Sequence, residues 1–293
     1  LNGIIVLDKP EGLSSAQALA KVKRLMGARK AGHAGTLDPF ATGLLICCIG
    51  QATRLARFFV QGLKTYDALL HLGVTTDTQD VTGRVTGRVA VPELDWSASE
   101  RILKEFQGPQ MQQPPVFAAL KHQGTPLYEL ARQGRPVQKP PRPVMISAMR
   151  LQEVGLPQVR FTVTCSAGTY IRSLCADIGQ RIGCGGHLAK LRRIECGGFS
   201  LADAVTLEEL ATLPCAERTD RLIPMGIALR QMPVVVADSP LLEHMGQGRS
   251  LDSVELPVEP ADRFVKVVDR QGQLKAVLEK SPGDGYIYCC VFT

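Results

Sequence analysis

At 293 residues the chain has room for one large domain or two smaller ones. Hydrophobic residues make up 45% and charged residues 21%, which permits a packed core and excludes wholesale disorder. No apolar run approaches the roughly 20 residues of a membrane helix, and the net charge of +6 is unevenly spread. Residues 233–293 carry six basic and nine acidic side chains, so residues 1–232 hold 28 basic against 19 acidic. That asymmetry favours a polyanionic partner; plain solubility charge is the alternative. Nine cysteines without Cys-x-x-Cys or zinc-ligand spacing read as reduced, buried thiols. The N-terminal Ile4-Ile5-Val6-Leu7 is too short for a signal peptide and runs into Asp8 and Lys9, so a cytoplasmic location is expected.

Residues 3–7 read as a strand. Ser14-x-x-Gln17 forms a capping box that opens a helix closed by Gly27. Lys21, Lys23, Arg24, Arg29 and Lys30 crowd its end, with no acid among residues 21–30. A Gly- and Pro-punctuated loop carries Asp38, followed by an apolar strand at 44–49 and a helix near 51–60. Tyr66, Ala68, Leu70 and Leu72 alternate with Asp67, Leu69 and His71, which predicts a strand with Tyr66 on its more apolar face. Residues 83–91 suggest a hairpin neighbour, and Ser97-x-x-Glu100 a capped helix ending near Gly108.

Residues 109–143 contain eight prolines and oppose Lys121, Arg132, Arg135, Lys139 and Arg142 to the single acid Glu129. Such a segment is a functional insertion or a plain solvated excursion. Its centre, 126–133, has the makings of a short helix. Strands are predicted at 144–154 and 158–165, a helix at 170–182 bearing Arg172, and another capped by Thr206-x-x-Glu209. This irregular alternation indicates an α+β fold, a mixed and largely antiparallel sheet with packed helices. Composition shifts near 232–233. Beyond it, strand-like 234–236, 264–268 and 274–278, with a helix after Ser239-Pro240, form a small β-rich module. The domains are therefore 1–230 and 231–293.

The stretch Gly35-Thr36-Leu37-Asp38-Pro39 with Thr42-Gly43-Leu44-Leu45 resembles the catalytic motif of pseudouridine synthases, specifically the TruB family. Lys9-Pro10-Glu11-Gly12-Leu13-Ser14-Ser15, Lys64-Thr65-Tyr66, Ser166 to Leu174 and His187 to Arg193 resemble the same family in the same order. The resemblance covers residues 1–230 clearly. The tail resembles a PUA-like module by position and strand pattern alone, and its acidic balance sets it apart from an RNA-gripping one. The resemblance implies a pseudouridine synthase fold and isomerisation of uridine 55 in the T-arm of tRNA.

It also implies roles. Asp38 matches the catalytic aspartate, Arg172 its arginine partner and Tyr66 the tyrosine that stacks on uracil. Leu191 matches an apolar pocket residue, and His33 a histidine that fills the gap left in the RNA by the extruded base. Tyr170 is a second aromatic candidate or a packing residue. Lys9 contacts phosphate or, preferably, braces the Asp38 loop. Asp80 organises the site or shapes a turn. The insertion matches an RNA-gripping segment, and the basic residues named above, with Arg192 and Arg193, are expected on phosphates. The reaction has no redox change, so no cofactor is required and no metal is expected. The expected partner is the tRNA T-stem-loop, with no membrane and no obligatory protein partner, bound by a monomer.

Competing classes are weaker on these residues. A glycosidase needs paired carboxylates, and no clear partner acid stands near Asp38. Phosphoryl transfer wants a Gly-rich loop with Lys-Ser/Thr, which Gly185-Gly186-His187 lacks. An RNA-remodelling protein without catalysis would use the same basic surfaces. The continuous insertion and short tail favour a stand-alone enzyme over a guide-RNA-dependent relative of the dyskerin type.

Overall fold

Ile4-Ile5-Val6-Leu7 shows no polar alternation because both faces of its strand are covered. In the computed structural model, which describes residues 1–247, 249, 251, 262–281 and 285–292, Ile4 and Val6 enter one core cluster and Ile5 and Leu7 another. Strand β1 (Gly3–Lys9) leads to helix α1 (Ser15–Leu25), whose capping box is the predicted Ser14–Gln17 pair. Ala18 and Val22 are buried on one face of α1, while Lys21, Lys23 and Arg24 are exposed. Lys23 and Arg24 in the last turn complement the helix dipole.

Short β2 (Ala31–Ala34) and β3 (Thr42–Ile49) flank the Asp38 loop. The helix expected near 51–60 begins as a 3₁₀ turn, Gly50–Leu55, and only Ala56–Val60 (α2) is α-helical. Strand β4 (Lys64–Leu72) alternates as predicted, with Lys64, Tyr66, Ala68, Leu70 and Leu72 buried. The hairpin near 83–91 pairs β5 (Val74–Thr76) with β6 (Val85–Arg88) in a separate small sheet, not with β4. Helix α3 (Trp96–Glu105) starts earlier than expected. Its cap is Asp95, whose carboxylate accepts from the Ala98 amide at 2.6 Å, and Ser97 lies inside the first turn.

The proline-rich segment is not all insertion. Its start forms β7 (Gly108–Gln112) and its end opens β10 (Arg142–Gly155), and the two pair antiparallel. Proline obscured this, yet β7 is an edge strand, where Pro109 is tolerated. The insertion proper, 113–141, holds the two-residue strands β8 (Lys121–His122) and β9 (Thr125–Pro126) and helix α4 (Leu127–Arg132). Strand β11 (Gln158–Cys165), helix α5 (Ile171–Ile182) and strand β12 (Gly186–Cys196) follow. Strand β12 carries Leu191 together with Arg192 and Arg193, which the sequence alone assigns to phosphates. Elements β13 (Phe199–Ser200), β14 (Val205–Thr206), α6 (Leu207–Thr212), α7 (Cys215–Asp220) and α8 (Met225–Ala228) complete this part.

Among the described residues the main sheet has ten strands in the order β14-β1-β3-β12-β4-β11-β10-β7, with β2 on β3 and β13 on β12. Only β1–β14 and β3–β12 run parallel, so the sheet is mixed and largely antiparallel. A separate sheet joins β15 (Val234–Val236), β16 (Phe264–Val268), β17 (Leu274–Lys280) and β18 (Tyr286–Val291), with α9 (Ser239–Gly246) beside it. Positions 252–261 and 282–284 of the expected tail module lie outside the described residues. The tail sheet docks through Val268, Leu274, Val277 and Phe292 onto the Ile4, Val6, Leu44 and Ile46 face.

Gly43 marks the tightest point of the main sheet. It has φ +99° and a Cβ there would collide with the backbone of Arg193 on the neighbouring strand. Gly43→Ala is expected to lower stability by about 2–4 kcal/mol, combining backbone strain and overpacking, as read by denaturant unfolding.

Candidate active site

The Asp38 loop is held by side chains from three elements. Ser15 Oγ, at the start of α1, accepts the Leu37 N–H at 2.8 Å and donates to the Leu37 carbonyl at 3.1 Å. Lys9 Nζ, at the end of β1, donates to the carbonyls of Pro10, Leu13 and Pro39 at 2.8, 2.7 and 3.2 Å. Lys9 is fully buried, so of its two expected roles the structure shows bracing. Burial lowers its ammonium pKa to about 8, against the favourable charge of Asp38. From β12, Arg193 donates to the Gly35 carbonyl at 2.9 Å and the Leu44 carbonyl at 2.7 Å. Ser15 and the loop-holding part of Arg193 escaped the sequence reading, because a serine one position after a helix cap gives no signal of its own.

Arg172, in the first turn of α5, reaches Asp38 across the loop. Its Nε lies 2.9 Å from Asp38 Oδ2 and its Nη2 3.5 Å from Oδ1. The Nε–H points off the line to the carboxylate, so this is a close ion pair rather than a fully aligned fork. The arginine side chain is 4% exposed, the aspartate 34%. Arg172 Nη1 lies 3.6 Å from Asp80 Oδ2 and donates to the Thr78 carbonyl at 3.1 Å, while Nη2 donates to the Phe117 carbonyl at 2.8 Å. Asp80 thus does both things the sequence left open. Its Oδ1 accepts from Thr78 Oγ1 and from the N–H and Oγ1 of Thr82, shaping the turn, and its other oxygen faces Arg172. It is also the second acid that the sequence did not place beside Asp38.

A cavity of about 350 Å³ opens above this pair. Tyr66, Leu191, Tyr170, Arg142, Lys64 and Arg193 are among its lining residues, with Ala119 and Leu120 from the insertion. Leu191 lies opposite Ala68 and Arg193 opposite Tyr66, on one face of the β12–β4 pair. Tyr66 is 7% exposed, and burial pushes its phenol up to about 12, opposed by Arg193. Tyr170 is tied at its backbone by Gln112, which accepts its N–H at 2.7 Å and donates to its carbonyl at 3.0 Å. The Arg142 guanidinium stacks on the Tyr170 ring at 5.0 Å and donates to the Gly168 carbonyl. Gln112 and Lys64 are contributors that the sequence reading left out. Lys64 is buried, with its ammonium on the Val60 and Gly62 carbonyls at 2.8 Å each.

His33 sits on β2 rather than in the loop, outside the cavity wall, with Nδ1 buried and unpartnered. Burial and Arg193 both lower its pKa. Of the expected phosphate ligands, Lys21, Lys23, Arg24, Arg29, Lys30, Lys121, Arg132 and Arg135 are exposed. Lys139 is half-buried beside His122, and Arg192 pairs with Asp8 at 2.6 Å. Arg193 corrects the sequence reading. It is 0% exposed, because strand alternation turns it inward beside Tyr66 while Arg192 turns outward, so it cannot meet a phosphate. Among the described residues no cluster of three or more His, Cys, Asp or Glu side chains could hold a metal ion, and no helix is long and apolar enough to cross a membrane.

This mixed sheet carries an aspartate–arginine pair beneath a cavity of about 350 Å³. Residues 23–171 match the family model for the N-terminal domain of TruB family pseudouridylate synthases, and 172–233 that for the tRNA pseudouridylate synthase B C-terminal domain. The chain is 45% identical over 285 residues to the tRNA pseudouridine synthase B of Dechloromonas aromatica (strain RCB), covering 97% of this chain and 93% of that one. It is 42% identical over 283 residues to the protein of the same name from Syntrophus aciditrophicus (strain SB), covering 94% and 90%. A chain in the crystal structure of a Cbf5-Nop10-Gar1 complex aligns with TM-score 0.77 at 26% identity, over 99% of this chain and 85% of that one. The chain belongs to the TruB family of pseudouridylate synthases.

Burial raises the Asp38 pKa above its ordinary value, Arg172 pulls it back, and the Asp80 charge adds to the rise. A reaction that needs ionised Asp38 should therefore lose rate, as pH falls, at a higher pH than an exposed aspartate would give. Asp80→Asn removes the charge that raises that pKa, so the acid limb of its rate–pH profile should move to lower pH.

Proposed function

We propose that this chain isomerises uridine to pseudouridine at position 55 in the T-arm loop of tRNA. The observation that carries the reading is the Asp38–Arg172 ion pair at the floor of a cavity walled by Tyr66, Tyr170 and Leu191. The names of relatives at 42–45% identity agree with it.

A uridine stacked in RNA cannot bring its glycosidic bond to the floor of such a cavity. The base must swing out, with an unstacking cost of a few kcal/mol. Tyr66 then offers a ring face for stacking, worth roughly 1–3 kcal/mol, and Leu191 excludes water. Asp38 is the nucleophile. Attack on ribose C1′, attack on uracil C6 and proton removal at C2′ share one requirement, an ionised carboxylate held in place. Arg172 supplies both charge and orientation. The bond from N1 to C1′ breaks, the base turns, and C5 bonds to C1′; C5 loses one proton and N1 gains one, and Tyr66 takes part in that late transfer. His33 fills the gap left in the RNA, and the exposed lysines and arginines of α1, the insertion and Arg192 contact phosphates.

No redox step occurs, so no cofactor is needed. The insertion itself walls the cavity through Ala119 and Leu120 and reaches Arg172 through Phe117. That supports a monomer without an obligatory protein partner, and a tRNA substrate supports a cytoplasmic location. Residues 231–293 form an accessory, PUA-like domain whose negative balance gives it a minor part in binding.

Asp38→Asn is expected to abolish pseudouridine in a tRNA transcript, mapped after incubation with purified protein, while RNA affinity stays within a few-fold. Full conversion by that variant would remove Asp38 from the chemistry. Affinity should fall steeply with salt, and neutralising one contacting lysine of α1 should reduce the slope of log K against log[salt] by about one.

A further inference from the structure

Arg193 has no counter-charge. Its side chain is fully buried, its two hydrogen bonds go to the Leu44 and Gly35 carbonyls, and among the described residues no carboxylate lies within ion-pair distance. Carbonyls satisfy N–H groups, but they do not neutralise a cation. A desolvated, unpaired charge is costly, and bracing two carbonyls could be done by a neutral donor. The charge itself therefore calls for a use. Arg193 is the direct cross-strand partner of Tyr66, on the same inward face, and both line the cavity above Asp38. Burial, the larger effect, holds the Tyr66 phenol neutral, and the charge of Arg193 favours its ionised form.

We propose that Arg193 acts through Tyr66, its unpaired charge stabilising phenolate on the Tyr66 oxygen between two proton transfers of the isomerisation. The inference rests on the pseudouridine reading above. When the glycosidic bond breaks, its electron pair leaves on uracil N1. The Tyr66 hydroxyl gives its proton to that nitrogen and becomes phenolate. The base turns and C5 bonds to ribose C1′. The C5–H bond then breaks, its proton passes to the phenolate, and the electron pair restores the C5–C6 double bond. Tyr66 ends as it began, and the net change is one proton moved from C5 to N1. The intermediate phenolate gains most from a fixed neighbouring cation in a cavity that excludes water. Arg193 is thus a positioning residue for charge, not a group that touches the substrate.

The test uses the full chain and a T-arm RNA bearing hydrogen or deuterium at C5 of the target uridine, under single-turnover conditions. R193Q should slow conversion on the order of 100-fold and show a larger rate drop in D2O than wild type, because transfer of the Tyr66 O–H proton to N1 becomes the slow step, while the C5 deuterium effect does not rise. Replacing Tyr66 by 3-fluorotyrosine, whose phenol ionises more readily, should restore much of that rate. R193K keeps the charge but cannot reproduce both carbonyl bonds, and should stay within a few-fold of wild type. A slowed R193Q with no added solvent isotope effect, or with no rescue by 3-fluorotyrosine, overturns the proposal, since a loosened Asp38 loop slows the N1–C1′ cleavage instead. If R193Q fails to fold, R193K decides: near-wild-type rate supports the role of charge, and a folded but slow R193K sinks it. Wild-type protein that leaves the uridine unconverted would defeat the pseudouridine reading itself.

Discussion

One guanidinium faces two carboxylates where little water enters. Arg172 sits 2.9 Å from Asp38 on one side and 3.6 Å from Asp80 on the other. Attraction between unit charges at 4 Å is about 4 kcal/mol at an effective dielectric of 20, and removing each ion from water costs several kcal/mol. Terms of that size nearly cancel, so the arrangement adds little to stability. What it fixes is position. Asp80 is held by Thr78 and Thr82, Arg172 is held by Asp80 and two carbonyls, and Asp38 meets the guanidinium from the open side. The one carboxylate with room in front of it is the one left available for chemistry.

The basic residues divide into two populations that composition cannot separate. Lys21, Lys23, Arg24, Arg29 and Lys30 stand in solvent, where their charge is felt over about 8–10 Å at moderate salt and steers a polyanion. Lys9, Lys64 and Arg193 are buried, and their donors satisfy backbone carbonyls of the loops around the cavity. Those loops cannot hydrogen-bond as strands do, so long cationic side chains take over the carbonyls that would otherwise be buried unpaired. The result is a rigid Asp38 loop with a net positive inner wall.

The insertion and the tail sheet relate to this site in opposite ways. The insertion contributes the Phe117 carbonyl to Arg172 and two side chains to the cavity wall, and the Gln113 carbonyl accepts from Ser173 on α5. Its conformation and that of Arg172 are therefore linked. The tail sheet packs on the far face of β1 and β3, and no described residue after 193 lines the cavity. An acidic module at that place does not oppose the positive approach to the site.

Local signals in the sequence determined much of this protein. The capping box of α1, the alternation of β4 and the turn glycines around Asp38 follow from backbone sterics and side-chain period, which act over a few residues. The resemblance to the family, not these local signals, named Asp38, Tyr66, Arg172 and Leu191, and the structure brings these four together around one cavity. Pairing across the sheet was beyond the local signals. That Asp80 would face the same guanidinium as Asp38, that Pro109 would sit on an edge strand, and that Arg193 would turn inward while Arg192 turned out depend on strand order and register. Those are set by which apolar faces bury together between distant segments. Tertiary structure alone decided which charges are solvated and which are enclosed, because burial belongs to the packed sheet and not to any residue in it.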